Sequence, residues 1–226
     1  MSKHQNNSAT PNHGRFYTIS DRTTDRMLDL YHLLFAEFGP QYWWPAETEF
    51  EVIVGALLTQ QTRWASVERA IANLKDRSLL TPAALADADR DAIEECIRCT
   101  GFYRQKAERL QLLSQYFNHN GMSKILGMPV DKLRRELLSL KGVGPETADS
   151  IILYAAHKPI FVIDAYTKRI CECIGVTGGY ETLQRHFEDS LPQDTYLYQE
   201  FHALIVVYAK QYCTRKRCND CIIVRV

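Results

Sequence analysis

Apolar residues recur at intervals of three and four along most of this 226-residue chain, which is the spacing of one helix face. The repeat is clearest in residues 24–39, 103–121 and 129–142, and each of these segments ends at a glycine. Strand-like alternation is rare, and the run PIFVID is too short and isolated to build a sheet. The pattern therefore predicts an all-α fold with no internal repeat and no long linker.

The composition predicts a soluble chain with a packed core. Apolar residues make up 46% of the sequence, which is enough to bury a substantial interior. No long apolar run occurs that could span a membrane, and the polar N-terminal residues lack the apolar segment of a signal peptide. We expect residues 1–19 to be a disordered polar tail, the protein to be cytoplasmic, and no membrane to be a partner.

The charge balance gives no overall attraction to nucleic acid, because 27 basic side chains match 27 acidic ones. Basic residues do cluster locally at Arg134 and Arg135, at Lys168 and Arg169, and at residues 215–217. Each cluster can be either a phosphate contact or a solvated helix face. Both interpretations stay open.

The segment LKGVGPETA, residues 140–148, predicts a tight turn between two helices. Gly142 and Gly144 supply the turn, and Pro145 suits the first turn of the second helix, where its missing N–H is not needed. The turn leaves backbone N–H groups pointing outward at a helix N-terminus, which is a site for an anion. An ordinary helical hairpin without a ligand is the alternative.

This hairpin resembles the helix–hairpin–helix of the endonuclease III superfamily of DNA glycosylases. The segments FEVIVGALLTQQT, IRCTGFYRQKAERL, FVIDAYTKRI and FHALIVVYAKQYC are similar to further segments of that superfamily, in the same order. The resemblance extends from about residue 28 to the C-terminus. It implies two helical lobes: a six-helix barrel at 46–157 that carries the hairpin, and a second lobe that joins 20–45 to 158–226.

The resemblance also implies how DNA is bound. The hairpin would hold a phosphate of double-stranded damaged DNA, together with a monovalent cation, through Lys141, Gly142, Val143 and Gly144. Gln60 or Gln61 would fill the gap left by a base turned out of the duplex, although either can be an ordinary glutamine on a helix surface. We expect a monomeric, nucleoid-associated protein of bacterial type.

Asp164 follows the apolar run IFVI and precedes the predicted helix AYTKRICECIGV. By its local sequence, an aspartate in this position is a helix N-cap. The resemblance implies that it is also the catalytic carboxylate, which stabilises oxocarbenium character as the base–sugar bond breaks and activates a nucleophile. The two roles are compatible, since a helix N-terminus helps to keep a carboxylate ionised.

Glu146 occupies the hairpin position at which bifunctional members of the superfamily carry a lysine. That lysine forms a Schiff base with the sugar and leads to strand cleavage, which a carboxylate cannot do. The resemblance therefore implies a monofunctional glycosylase that uses water. The alternatives are a bifunctional glycosylase and AP lyase acting on oxidised pyrimidines, and a non-catalytic DNA-binding module.

The stretch QYWWPAETEF places Trp43, Trp44 and Phe50 just before the first helix of the barrel. These side chains can form either a hydrophobic plug between helical layers or a stacking pocket for a turned-out base. Aromatic faces attract the positive charge of an alkylated purine such as 3-methyladenine. Together with Glu146, the stretch resembles the 3-methyladenine DNA glycosylase III branch, which also implies that Lys210 lies near the pocket.

Three cysteines, Cys213, Cys218 and Cys221, crowd the C-terminal segment. Many endonuclease III relatives hold a 4Fe–4S cluster with four cysteine thiolates, whereas only three are present here, with a shortened loop between them. The resemblance therefore implies a degenerate or truncated cluster site, and we expect no cofactor to be required. The basic residues 215–217 inside this loop can still contact phosphate.

Overall fold

The computed structural model describes residues 23–214 and 218–223, and within them the chain is built from helices and contains no strand. The predicted all-α fold is confirmed, while the predicted tail at 1–19 and the basic residues 215–217 lie outside the described residues. In the described part, no helix is long and apolar enough to cross a bilayer. The helices are α1 (Thr23–Phe38), α2 (Glu49–Leu58), α3 (Trp64–Asp76), α4 (Pro82–Asp87), α5 (Arg90–Ile97), α6 (Tyr103–Asn120), α7 (Met122–Leu126), α8 (Val130–Leu138), α9 (Pro145–Tyr154), α10 (Ala165–Cys173), α11 (Tyr180–Ser190) and α12 (Thr195–Gln211), with short 3-10 turns at Arg98–Thr100 and Cys218–Asp220.

The helices form two groups that meet at α9. Helices α2 to α9 fall within the range 46–157; six of them have eight residues or more, while α4 and α7 are short. In the second group, α12 packs against α1 and α10, and α11 packs against α1. Helix α12 also packs against α9, so the second helix of the hairpin lies where the two lobes meet.

Threonine side chains begin two helices of the first lobe. Thr48 accepts a hydrogen bond from Glu51 N at the start of α2, and Thr81 does the same for Ala84 N at the start of α4. Between α2 and α3 the chain turns through residues 59–63. The apolar segment 48–75 therefore forms two helices, and the turn between them reaches the space between the lobes.

A buried carboxylate connects the hairpin to the second lobe. Asp149 on α9 has no exposed surface, and its oxygens accept hydrogen bonds from Arg134 Nε on α8 at 2.7 Å, from Tyr180 Oη at 2.8 Å and from Gln184 Nε2 at 2.7 Å. Tyr180 and Gln184 lie on α11. Arg134 therefore contributes to an internal network, whereas its neighbour Arg135 is exposed to solvent. The two residues do not form one basic surface.

We predict that Asp149→Ala lowers the free energy of unfolding by about 3 kcal/mol, because it leaves Arg134 and two neutral donors without their buried acceptor. Urea denaturation followed by circular dichroism measures this change. Glu108→Ala serves as the control, since Glu108 pairs with Lys141 on the surface, and its unfolding midpoint should stay close to that of the wild type. Equal midpoints for the two variants would contradict a connecting role for Asp149.

Candidate active site

A cavity of about 480 Å³ lies between the two lobes. Its walls come from the segment before α2, the turn at 59–63, and the helices α9, α10 and α12. A volume of this size is typical of pockets that hold small molecules. Six of the predicted site residues line it: Trp43, Trp44, Gln61, Glu146, Asp164 and Lys210.

Asp164 is both a helix cap and part of the cavity wall. Its Oδ1 atom accepts a hydrogen bond of 2.7 Å from Thr167 N in the first turn of α10, and its Oδ2 atom lies 3.7 Å from His202 Nε2. Burial alone raises the pKa of this carboxyl, but His202 and the Thr167 N–H group outweigh it and lower the pKa below its ordinary value. The carboxylate is therefore held in its ionised form while it faces the cavity.

Glu146 faces the same cavity from the first turn of α9. Its side chain lies at the exposed rim, yet partial removal from water and the negative charge of Asp164 raise the pKa of its carboxyl. Burial lowers the pKa of the Lys210 amine on α12, against the opposing effect of Asp164, and Arg63 lines the cavity as well. The cavity wall thus carries two carboxyls, one amine and one guanidinium.

All three tryptophans of the chain line the cavity. The ring centroids of Trp43 and Trp64 are 4.6 Å apart, and Trp44 lies 5.4 Å from Trp64. Trp44 packs over Gly55 of α2, where an added Cβ atom would lie 3.1 Å from the indole. Trp64 was not among the predicted pocket residues, although its position directly after the turn at 59–63 is a signal that could have identified it.

The prediction that Phe50 belongs to the pocket is wrong. Phe50 is 4% exposed and belongs to the hydrophobic core, and it is absent from the cavity wall. The reason is the burial of α2: this helix is buried from Phe50 to Leu58, so Phe50 packs into the core, whereas Trp43 and Trp44 precede the helix and line the cavity.

A second buried carboxylate holds the segment that carries the tryptophans. Glu200 on α12 is 1% exposed, and its oxygens accept hydrogen bonds from Gln41 N at 2.6 Å and Tyr42 N at 2.7 Å. These bonds join residues nearly 160 positions apart and fix the non-helical segment before α2 to the second lobe. Glu200 was not predicted; an acidic residue inside an otherwise apolar helix is the signal that could have identified it.

The hairpin turn depends on a close approach to α6. Gly142 has a φ of +85°, and a Cβ atom placed there would lie 2.3 Å from Arg109 Cδ. Gln60 Nε2 donates to Gly142 O and to Thr147 Oγ1, each at 3.0 Å, while Gln60 Oε1 accepts a hydrogen bond from Arg109. Gln60 is therefore an internal brace of the hairpin, and Gln61 is the glutamine that faces the cavity.

The backbone N–H groups of the turn differ in their partners. Val143 N donates to Leu140 O at 3.1 Å, whereas within residues 23–214 no backbone hydrogen bond involves Gly142 N or Gly144 N. Two donors at the start of α9 are thus available to an anion. Lys141 Nζ lies 2.6 Å from the Glu108 carboxylate on the surface, and the monovalent cation expected at this turn stays a prediction.

A buried lysine anchors the turn at 59–63. Lys106 is almost fully buried on α6, and its amine donates to Leu58 O at 3.0 Å, to Thr100 O at 3.1 Å and to the Thr62 hydroxyl. Burial lowers the pKa of this amine to about 8. Lys106 was not predicted, because a lysine on an amphipathic helix is ordinarily solvent-exposed.

The predicted cysteine ligands do not form a set in the described part of the chain. Cys221 is buried, and its Sγ atom lies 2.9 Å from Tyr208 Oη; Cys213 is half-buried, and the side chain of Cys218 lies outside the described residues. Among the side chains that are described, no group of three potential ligands converges. The degenerate cluster site therefore stays a prediction, and no chemical step is assigned to a cluster.

The chain is similar to known proteins in sequence and in fold. Residues 54–193 match the family model for the HhH-GPD superfamily base excision DNA repair protein. The chain is 46% identical over 211 residues to a Methanocaldococcus jannaschii protein whose name provisionally assigns it as a DNA repair glycosylase, with coverage of 90% of this chain and 96% of the relative. It is 31% identical to endonuclease III homolog 2, chloroplastic, of Arabidopsis thaliana, covering 80% of this chain and 48% of the plant protein, or about half its length. The solved structure of H. pylori 3-methyladenine DNA glycosylase bound to 1,N6-ethenoadenine has a TM-score of 0.74 at 29% identity, with 84% of this chain and 97% of that chain covered.

We predict that Gly144→Ala weakens binding to every duplex by about tenfold without changing Tm. The φ of Gly144 is negative, and the structure leaves open space around an added Cβ atom, but that space is where a phosphate would approach the N–H groups. Fluorescence anisotropy on undamaged and abasic-analogue duplexes measures the loss. Gly142→Ala is the comparison: it should lower both affinity and Tm, because its Cβ atom meets Arg109. A loss confined to one kind of duplex would show that the turn contacts the base and not the phosphate.

Proposed function

The chain belongs to the HhH-GPD superfamily of base excision DNA repair proteins and is a DNA glycosylase of that superfamily, and we propose that it releases a damaged base by hydrolysis alone. One observation carries this proposal: Glu146 lines the same cavity as Asp164, and by the resemblance to the endonuclease III superfamily it occupies the position where the lyase branch has its lysine. A carboxylate cannot form an imine with the sugar, so Glu146 cannot begin strand cleavage.

Asp164 is the group that we assign to bond cleavage. A base turned out of double-stranded DNA would enter the cavity, and the Asp164 carboxylate would lie beside its sugar. As the bond between the base and C1′ breaks, the carboxylate stabilises the developing positive charge and accepts a proton from the attacking water. The lowered pKa of Asp164 keeps the charge available for both tasks.

The substrate that we propose is an alkylated purine such as 3-methyladenine. Three indole rings attract a cationic base, and desolvated contacts of this kind contribute about 2 kcal/mol. The carboxylate of Asp164 adds a negative charge to the same cavity, against the basic groups of Lys210 and Arg63. A related solved structure, at 29% identity, is named as a 3-methyladenine DNA glycosylase, which supports the same substrate class.

A bifunctional glycosylase and AP lyase is the second candidate, and one observation favours it. The amine of Lys210 lines the cavity, and burial lowers its pKa, which increases the neutral fraction that can attack a sugar. Lys210 lies on α12 and not in the hairpin, however, and its amine is 5.9 Å from the Tyr166 ring centroid. Borohydride trapping distinguishes the two candidates.

We predict that Asp164→Asn reduces base release by about 10²- to 10³-fold and leaves the affinity for damaged duplexes within about tenfold. Asparagine still caps a helix, so the fold should be retained. The assay follows base release and borohydride adducts over a panel of defined lesion duplexes. Asp194→Asn is the matched control, because Asp194 caps α12 with the same 2.7 Å bond but does not line the cavity.

The wild type should release base from at least one duplex, leave the abasic strand intact and form no borohydride adduct. An adduct that disappears in Lys210→Met would establish the lyase instead. Wild-type turnover by Asp164→Asn would show that Asp164 is only a cap, and binding without base release from any duplex would favour a non-catalytic module.

We also predict that Trp43→Ala lowers kcat/KM on cationic alkylated purines by about ten- to thirtyfold, with a smaller loss on the neutral base 1,N6-ethenoadenine. Trp43→Phe should retain part of the activity, because a smaller ring still stacks. Steady-state kinetics on both kinds of duplex measure the difference. Equal losses on the two, together with a large fall in Tm, would favour the hydrophobic plug.

A further inference from the structure

His202 presents a buried polar atom to the cavity without a partner. The residue is 6% exposed and lines the cavity from α12, and its Nε2 atom has no hydrogen-bond partner among the described residues. Asp164 Oδ2 lies 3.7 Å from this atom, which is within ion-pair range but beyond hydrogen-bond distance. Buried polar atoms in native proteins are almost always satisfied, so an unpaired one that faces the catalytic carboxylate requires an explanation.

The other ring nitrogen of His202 is held by a tyrosine. Tyr154 Oη on α9 lies 2.7 Å from His202 Nδ1 and 3.2 Å from Gln199 O. Burial raises the pKa of Tyr154 well above its ordinary value, so the phenol keeps its proton and can donate it. Donation to Nδ1, the closer acceptor, leaves Nε2 as the ring nitrogen that carries the N–H group. The other tautomer, with its proton on Nδ1, would direct an Nε2 lone pair at the Asp164 carboxylate, which is electrostatically unfavourable.

Given the hydrolytic function proposed above, we propose that His202 Nε2–H and Asp164 Oδ2 hold the attacking water between them. Two atoms 3.7 Å apart can both lie about 2.8 Å from one water oxygen. The water would accept a hydrogen bond from Nε2–H and donate one to Oδ2, which leaves a lone pair free to attack. His202 is then a second catalytic residue, and Tyr154 is a positioning residue that sets its tautomer.

The step balances without a further reactant. The water oxygen bonds to C1′ as the bond between C1′ and the base nitrogen breaks, and the bonding electron pair leaves with the base. The water proton that faces Asp164 passes to Oδ2 and later to solvent. An alkylated purine that is cationic in the duplex leaves as a neutral base, so no acid is required, and His202 keeps its proton throughout.

The test compares His202→Leu, His202→Gln and Tyr154→Phe in single-turnover base release from the lesion duplex on which the wild type is fastest. We expect a loss of about 10²-fold for His202→Leu, partial recovery in His202→Gln because its amide N–H can replace Nε2–H, and a loss of about tenfold for Tyr154→Phe. Affinity for an abasic-analogue duplex should stay within about threefold, since the substituted groups act on the water.

Matched controls separate this role from a structural one. His186→Leu removes another histidine whose Nε2 atom has no hydrogen-bond partner among the described residues, and Tyr198→Phe removes a buried hydroxyl that likewise has none there. Neither His186 nor Tyr198 lines the cavity. Neither should slow base release. His202→Leu is not a clean test if it lowers Tm more than His186→Leu does. In that case the rates of base release by Tyr154→Phe and Tyr198→Phe are compared, and equal rates for these two variants overturn the proposal.

Added methanol gives a readout that a structural role would not change. In the wild type the held water should capture C1′ and give the abasic sugar, whereas His202→Leu should give a larger fraction of methyl glycoside. Two results overturn the role of His202 and leave the glycosylase proposal intact. In the first, His202→Leu releases base at the wild-type rate and gives the wild-type ratio of methyl glycoside to abasic sugar. In the second, His202→Leu is slow and His202→Gln is no faster. A borohydride adduct of the wild type overturns both.

Discussion

The buried carboxylate of Asp149 joins helices from both lobes, and the geometry of the cavity follows from that connection. Asp149 lies on α9 and binds Arg134 of α8 together with Tyr180 and Gln184 of α11. On the same helix, Glu146, Ser150 and Tyr154 are spaced four residues apart, and this face is turned to the cavity and to His202. A shift of α9 would therefore change the charged rim, the tyrosine contact and the hairpin turn together.

The pKa values of the two carboxyls in the cavity shift in opposite directions. The carboxyl of Asp164 receives a backbone N–H bond and lies beside His202, so its pKa falls, whereas that of Glu146 loses contact with water near a negative charge, so its pKa rises. Pairs of carboxyls whose pKa values are driven apart commonly have different tasks in catalysis. Here the difference assigns the permanent charge to Asp164 and makes Glu146 the group that more readily takes up a proton as the pH falls.

Helical periodicity and glycine positions were sufficient to predict the all-α fold, whereas Asp164, Glu146 and the tryptophan pair were predicted as site residues through their resemblance to the endonuclease III superfamily. The resemblance could identify them because each lies in or beside a short segment that matches a motif of that superfamily. The remaining residues act through tertiary contacts that no local pattern records: Trp64, Lys106, Glu200 and His202 look like core or surface positions of amphipathic helices. The error at Phe50 has the same origin, because the burial of a short helix on all sides is set by what packs against it.

The contact between Glu200 and the segment before α2 uses only main-chain groups of that segment. The N–H groups of Gln41 and Tyr42 donate to the carboxylate, and no side chain of these two residues is required for either bond. Any residue other than proline can supply such a donor. The segment that carries the aromatic wall can therefore change its side chains over evolutionary time while its path along the cavity is preserved.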